Sequence, residues 1–172
     1  EGEKMSIDDL YGERSWLRGK ISACEYKISD LEKIIKRTKK EIEDLKEDKR
    51  RISVIINNIG NVTPYLGKAN NNITNAKDSV DSYYFGNQTA EWKSRLKLTS
   101  NLTSGIKTSF DSIVRDGNSV IRDIDAEIKK KDNYLQETRD NLESTKDDLE
   151  GYESDLDDVQ WEIDHYYDDE DD

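Results

Sequence analysis

The chain has little of what compact enzymes and disulfide scaffolds are built from. Its 172 residues include one proline, one cysteine, one histidine and one methionine, and only 33% are hydrophobic. The single histidine, His165, leaves no His-based metal site or catalytic triad within the chain. The single cysteine, Cys24, excludes an internal disulfide framework and reads as a core residue. No run of eighteen apolar residues occurs, so no membrane-spanning helix is expected, and no basic-then-apolar signal peptide opens the sequence. The acidic pairs Asp147-Asp148 and Asp157-Asp158 lack the glycine and spacing of a calcium loop and read as solvated faces.

Charge, in contrast, is plentiful. Charged residues make up 38% of the chain, and the formal net charge is −12. That balance argues against nucleic acids and anionic membrane surfaces as partners. The segment from Lys33 to Arg51 mixes basic residues with Glu and Asp, as a salt-bridged helix face does, while the region from Asp123 to Asp148 is rich in acid. Four Asn-x-Thr sequons, at Asn61, Asn72, Asn87 and Asn101, carry meaning only in a chain secreted from a eukaryotic cell.

What dominates the chain is heptad periodicity, arranged almost as a mirror about Tyr84-Phe85-Gly86-Asn87. The first half reads Ile7, Leu10, Arg14, Leu17, Ile21, Cys24, Ile28, Leu31, Ile35, Thr38, Ile42, Leu45, Lys49, Ile52, Ile56, Ile59, in alternating steps of three and four. This is the a/d seam of a coiled coil. The apolar series continues as Val62, Leu66, Ala69, Ile73, Ala76, Val80, Tyr83, with a three-residue discontinuity at Ile59-Val62 that would overwind a supercoil. Pro64 lies beside it, and a kink or short break is expected over residues 60–64.

The second half reads Trp92, Leu96, Thr99, Thr103, Ile106, Phe110, Ile113, Gly117, Val120, Ile124, Ile128, Lys131, Leu135, Thr138, Leu142, Thr145, Leu149, Tyr152, Leu156, Val159, Ile163, Tyr166. Two steps of four at Val120-Ile124-Ile128 form a stutter. The fold expected is all-α: one long antiparallel two-helix hairpin with its turn at Tyr84-Asn87. The first helix covers about 6–84, the second about 88–166, and residues 167–172 form an acidic tail. Paired residue numbers then add to about 172. Each arm, at roughly 78 residues and 1.5 Å per residue, would reach on the order of 115 Å. Two such helices leave much of the seam half covered, which calls for partner helices or self-association. Mirror symmetry also permits a dimer swapped about Gly86. A two-helix rod offers no pocket for paired carboxylates, so enzyme activity and cofactors are not expected.

The central Tyr83-Tyr84-Phe85-Gly86-Asn87-Gln88-Thr89-Ala90-Glu91-Trp92 concentrates aromatics where the chain reverses. Gly86 tolerates the positive φ of a turn, and Asn87 is a suitable cap. These aromatics are either end-of-core packing or a functional turn. The chain resembles the WXG superfamily of helical hairpins exported by type VII secretion systems, and more closely the helical proteins encoded beside LXG-domain toxins in Gram-positive bacteria. Tyr84-Phe85-Gly86 stands where that family has Trp-x-Gly, and Trp92 stands at its later aromatic position. The opening Met5-Ser6-Ile7-Asp8-Asp9-Leu10-Tyr11 is also similar to starts in the toxin-associated group. Tyr84 in place of tryptophan and arms about twice the length of the smallest members are departures.

The resemblance also implies a tail signal, a tyrosine followed four residues later by Asp or Glu. Tyr166 with Glu170 fits it, as does Tyr167 with Asp171, in a tail acidic enough to match by composition alone. The function implied is a non-enzymatic partner that packs against the helical N-terminal domain of a larger secreted toxin and supports its export. Such a chain is cytoplasmic before export and leaves without a signal peptide. The alternatives are a structural coiled-coil spacer and a cytoplasmic secretion chaperone that is never exported.

Overall fold

A computed structural model of the chain describes residues 5–83 and 87–166, with side-chain surroundings given for 5–82 and 90–166. It holds two helices, α1 (Ile7–Tyr83, 77 residues) and α2 (Asn87–Asp164, 78 residues), with no strand among the described residues. Helix α1 starts at a Ser6 cap. The Ser6 hydroxyl accepts a hydrogen bond from the Asp9 backbone N–H at 3.2 Å and donates to the Asp9 carboxylate at 2.6 Å. Asp8 and Asp9 in the first turn suit the positive end of the helix dipole.

Helix α1 passes through Pro64 without interruption, so the short break expected over 60–64 is not there. Proline costs the helix one hydrogen bond, the one its missing N–H would send to the Gly60 carbonyl. The neighbouring Ile59 carbonyl accepts an additional bond from the Thr63 hydroxyl at 3.0 Å.

The chain divides into two packed units, one formed by residues 1–42 with 129–172, the other by residues 43–128. In each, α1 and α2 run antiparallel, which is the helical hairpin expected from the sequence. In the first unit, Arg14 donates to Gln160 at 3.2 Å and Lys131 to Glu41 at 2.8 Å. Leu10, Leu17, Val159 and Ile163 form its buried cluster, with Ile7, Tyr152, Leu156 and Tyr166 packed against it. Burying one leucine of this kind contributes about 2 kcal/mol. Buried threonines share the seam: the hydroxyls of Thr138 and Thr145 each donate at 2.7 Å to the carbonyl four residues back, Tyr134 and Asn141. The polar atom is satisfied inside its own helix, so the methyl group faces the core at little cost.

In the second unit the cross-helix contacts are Lys49 with Asp125 at 2.6 Å, Asn70 with Ser100 at 3.0 Å, and Lys93 with Asp81 at 2.6 Å. Here the burial corrects the sequence reading. After Ile59, the covered residues include Thr63, Leu66, Asn70, Ile73 and Val80, while Val62, Ala69 and Ala76 are exposed. On α2 the covered residues include Lys93, Leu96, Ser100, Thr103, Phe110, Val114, Gly117, Ile121, Ile124 and Ile128, while Trp92, Thr99, Ile106, Ile113 and Val120 are exposed. Neither the discontinuity at Ile59-Val62 nor the stutter at Val120-Ile128 is used. The alternation of three and four runs on through polar residues instead. A shift of phase needs local over- or underwinding, and a continuous helix avoids it by accepting Thr63, Asn70 and Ser100 into the seam. The Asn70–Ser100 hydrogen bond satisfies two of those polar groups, and a polar pair of this kind also fixes register.

Candidate interaction surface

The residues singled out in the sequence fall in separate places. Tyr84, Gly86 and Glu170 lie outside the described residues, as do Tyr167 and Asp171. Trp92 stands in the second turn of α2 with 61% of its surface exposed. Tyr166, in the turn just beyond α2, is half-buried against the core of the first unit, and its N–H donates to the Ile163 carbonyl at 3.4 Å. Cys24 occupies its expected seam position and is a half-buried free thiol.

Among the described residues, no group of three or more His, Cys, Asp or Glu side chains is arranged to hold a metal ion, and no helix is long and apolar enough to cross a membrane. A depression on α2 is lined by Ser94, Arg95, Lys97, Leu98 and Asn101, one stretch of one helix, and lies open to solvent. The perturbed carboxylates are all surface ion pairs. Glu47 is held down to about 2 by hydrogen bonds from Arg50, reinforced by Arg51. The Lys131 ammonium lowers Glu41 through a hydrogen bond, with its charge and that of Arg37 adding to the effect. Lys93 lowers Asp81 in the same way, with a smaller contribution from Lys77. Such pairs set local geometry and contribute little stability.

What the surface does offer is contact area of two kinds. In the first unit, aromatics sit at the helix surface: Trp16 meets Tyr152 edge to face at 6.0 Å, with the Lys20 ammonium 5.1 Å from the Trp16 ring, and Trp161 stacks on His165 at 4.5 Å. This unit holds 15 basic and 27 acidic residues, so it carries the whole net charge of the chain.

The second unit holds 12 of each sign and is neutral. Residues 52–76 contain one charge, Lys68, and residues 98–106 contain none. The apolar residues left out of the seam line this section. Val54, Tyr65, Leu98 and Leu102 are exposed on the outer faces, and eight others share one heptad position: Ile55, Val62, Ala69 and Ala76 on α1, and Trp92, Ile106, Ile113 and Val120 on α2. Each of the eight stands immediately before a position of the three-four alternation (for Ala76 and Ile106 that position is the exposed Lys77 or Lys107), seven residues or a multiple of seven from the others on its helix, which is heptad position g. In an antiparallel pair the g positions of both helices border the same side of the seam, so these eight form one stripe. In the first unit the same heptad position holds charged residues, among them Lys20, Lys27, Asp148 and Asp155. The signal for this stripe is in the sequence, where the apolar residues at 92, 106, 113 and 120 follow heptad spacing. Only the packing reveals that they lie outside the seam.

No protein family, curated protein or solved structure matches the chain.

Proposed function

We propose that this chain is a non-enzymatic helical partner protein of a type VII secretion system, which packs against the helical N-terminal domain of a larger secreted toxin and supports its export. The observation that supports this reading is the aromatic-x-glycine sequence Tyr84-Phe85-Gly86 at the junction of two helices of 77 and 78 residues, with Trp92 six residues beyond the glycine. Two helices alone leave the seam half covered, and a helical toxin domain supplies the missing cover by helix-on-helix burial. Residues 132–164 of α2 are strongly acidic, so a partner helix laid along them is basic on its contact face, and its association weakens with salt.

The test is a pull-down of the tagged chain from its native host, with captured proteins identified by mass spectrometry. The expected result is one large protein with a helical N-terminal region, lost when Tyr84, Gly86 and Trp92 are replaced. Recovery of nothing but the chain itself refutes the reading and leaves a structural coiled coil.

A further inference from the structure

We infer that the apolar stripe of the second unit is a self-association surface, whose occupant is the same stripe of a second copy of this chain. Eight apolar residues at one heptad position are far more than solvent exposure requires. The large ones, Ile55, Val62, Trp92, Ile106, Ile113 and Val120, are 45–61% exposed. Apolar residues at d and g, on either side of a mixed a position, give each helix an apolar face wider than the two-helix seam uses, as in bundles of more than two helices.

Three properties of the stripe select a second copy. The first is charge. The second unit carries 12 basic and 12 acidic residues, and Lys68 is the one charge in residues 52–76, so bringing two such units together meets no net repulsion. The second is shape. The α1 side of the stripe is small over Val62, Ala69 and Ala76, and the α2 side is bulky over Ile106 and Ile113. A two-fold axis along the helices lays α1 of one copy against α2 of the other. Each bulky ridge then meets a shallow row, Ala69 at the level of Ile106 and Val62 at the level of Ile113. The third is area. From Ile55 to Ala76 the stripe runs about 32 Å, and two helices of about 10 Å give on the order of 600 Å² per copy, the lower end of what specific interfaces bury. The resulting assembly is a four-helix layer through residues 55–120, held by side chains that take no part in the hairpin's own seam. It forms or fails independently of any secretion partner.

The experiment is sedimentation equilibrium of the full chain across a micromolar range, beside the variant Ile106→Glu/Ile113→Glu and a control, Tyr26→Glu, in the first unit. The wild type and the control are expected to approach twice the 19.9 kDa chain mass with rising concentration. The double variant is expected to stay at 19.9 kDa with its helical circular dichroism intact. A wild type that stays monomeric overturns the inference. So does a double variant that dimerises as the wild type does, which is the behaviour of a dimer swapped about Gly86.

Discussion

Replacing Gly117 by alanine tests the register of the second unit with a single methyl group. Gly117 is a seam residue of α2, and a Cβ built on it falls 2.8 Å from Ile56 Cδ1, 3.0 Å from Ile56 Cγ1 and 3.7 Å from Ile52 Cγ2. Carbon atoms rest at about 3.5–4.0 Å, so the first contact is short by about 1 Å. Alanine gains about 1 kcal/mol over glycine in a helix interior. Overpacking costs about 1–3 kcal/mol, reduced where a flexible chain end such as the Ile56 ethyl arm swings aside. The net effect of Gly117→Ala therefore lies between about zero and a loss of 2 kcal/mol. Gly105 is the internal standard: a Cβ there meets nothing within 4 Å, so Gly105→Ala gains the full ~1 kcal/mol. In an Ile56→Ala background both short contacts disappear, and Gly117→Ala gains about 1 kcal/mol there too. Urea unfolding followed at 222 nm measures all four variants, and the cycle isolates a coupling of about 1 kcal/mol or more. If Gly117→Ala stabilises the wild type as much as Gly105→Ala does, Ile56 does not sit over Gly117, and the pairing of α1 with α2 in this unit is wrong.

Three further outcomes follow from the packing. Leu17, 1% exposed, loses about 3 kcal/mol of stability on replacement by alanine, while Tyr26→Ala, at 79% exposed, stays within about 0.5 kcal/mol in the same urea titration. Thr145→Val removes a hydroxyl bonded within its own helix and orphans no buried group, so it is neutral or stabilises by up to about 1 kcal/mol. A loss as large as that of Thr145→Ala argues that the hydroxyl matters across the seam. Glu47, held at about 2 by Arg50 and Arg51, has a folded pKa below its unfolded one. Its contribution to stability is complete above the ordinary glutamate range and is lost as pH falls through about 2. Carboxyl NMR places its midpoint there, and Arg50→Ala moves it up toward the ordinary range.

Much of the first unit is legible residue by residue. Ile7, Leu10, Arg14, Leu17, Ile21, Cys24, Ile28, Leu31, Ile35, Thr38 and Ile42 were named from spacing alone, and all are buried or half-buried. Their spacing is unambiguous because charged residues surround them, so a single phase satisfies burial. The second unit offered two phases one residue apart. On α1, residues 52–76 hold one charge and place Val, Ile, Ala, Asn and Thr on adjacent positions, so following the apolar residues leads from Ile59 to Val62; on α2, adjacent apolar pairs such as Ile113-Val114 and Val120-Ile121 lead in the same way from Gly117 to Val120. The candidate site was less legible still. The residues carrying the family resemblance cluster at the turn and tail, whereas the exposed stripe is defined by what the seam excludes.

The sequence by itself determined two helices of near-equal length, their antiparallel pairing and, among the described residues, the absence of a helix long and apolar enough to cross a membrane. These follow from local rules: heptad spacing, turn chemistry and hydropathy act within a few residues of each position. Only the tertiary structure decided which side of each helix in residues 43–128 faces the other. One residue around a helix is a rotation of about 100°, and a sequence with apolar residues on both sides of that step does not choose between them. The choice falls to the continuity of the helix, which keeps the regular alternation and leaves Val62, Ile106, Ile113 and Val120 on the outside.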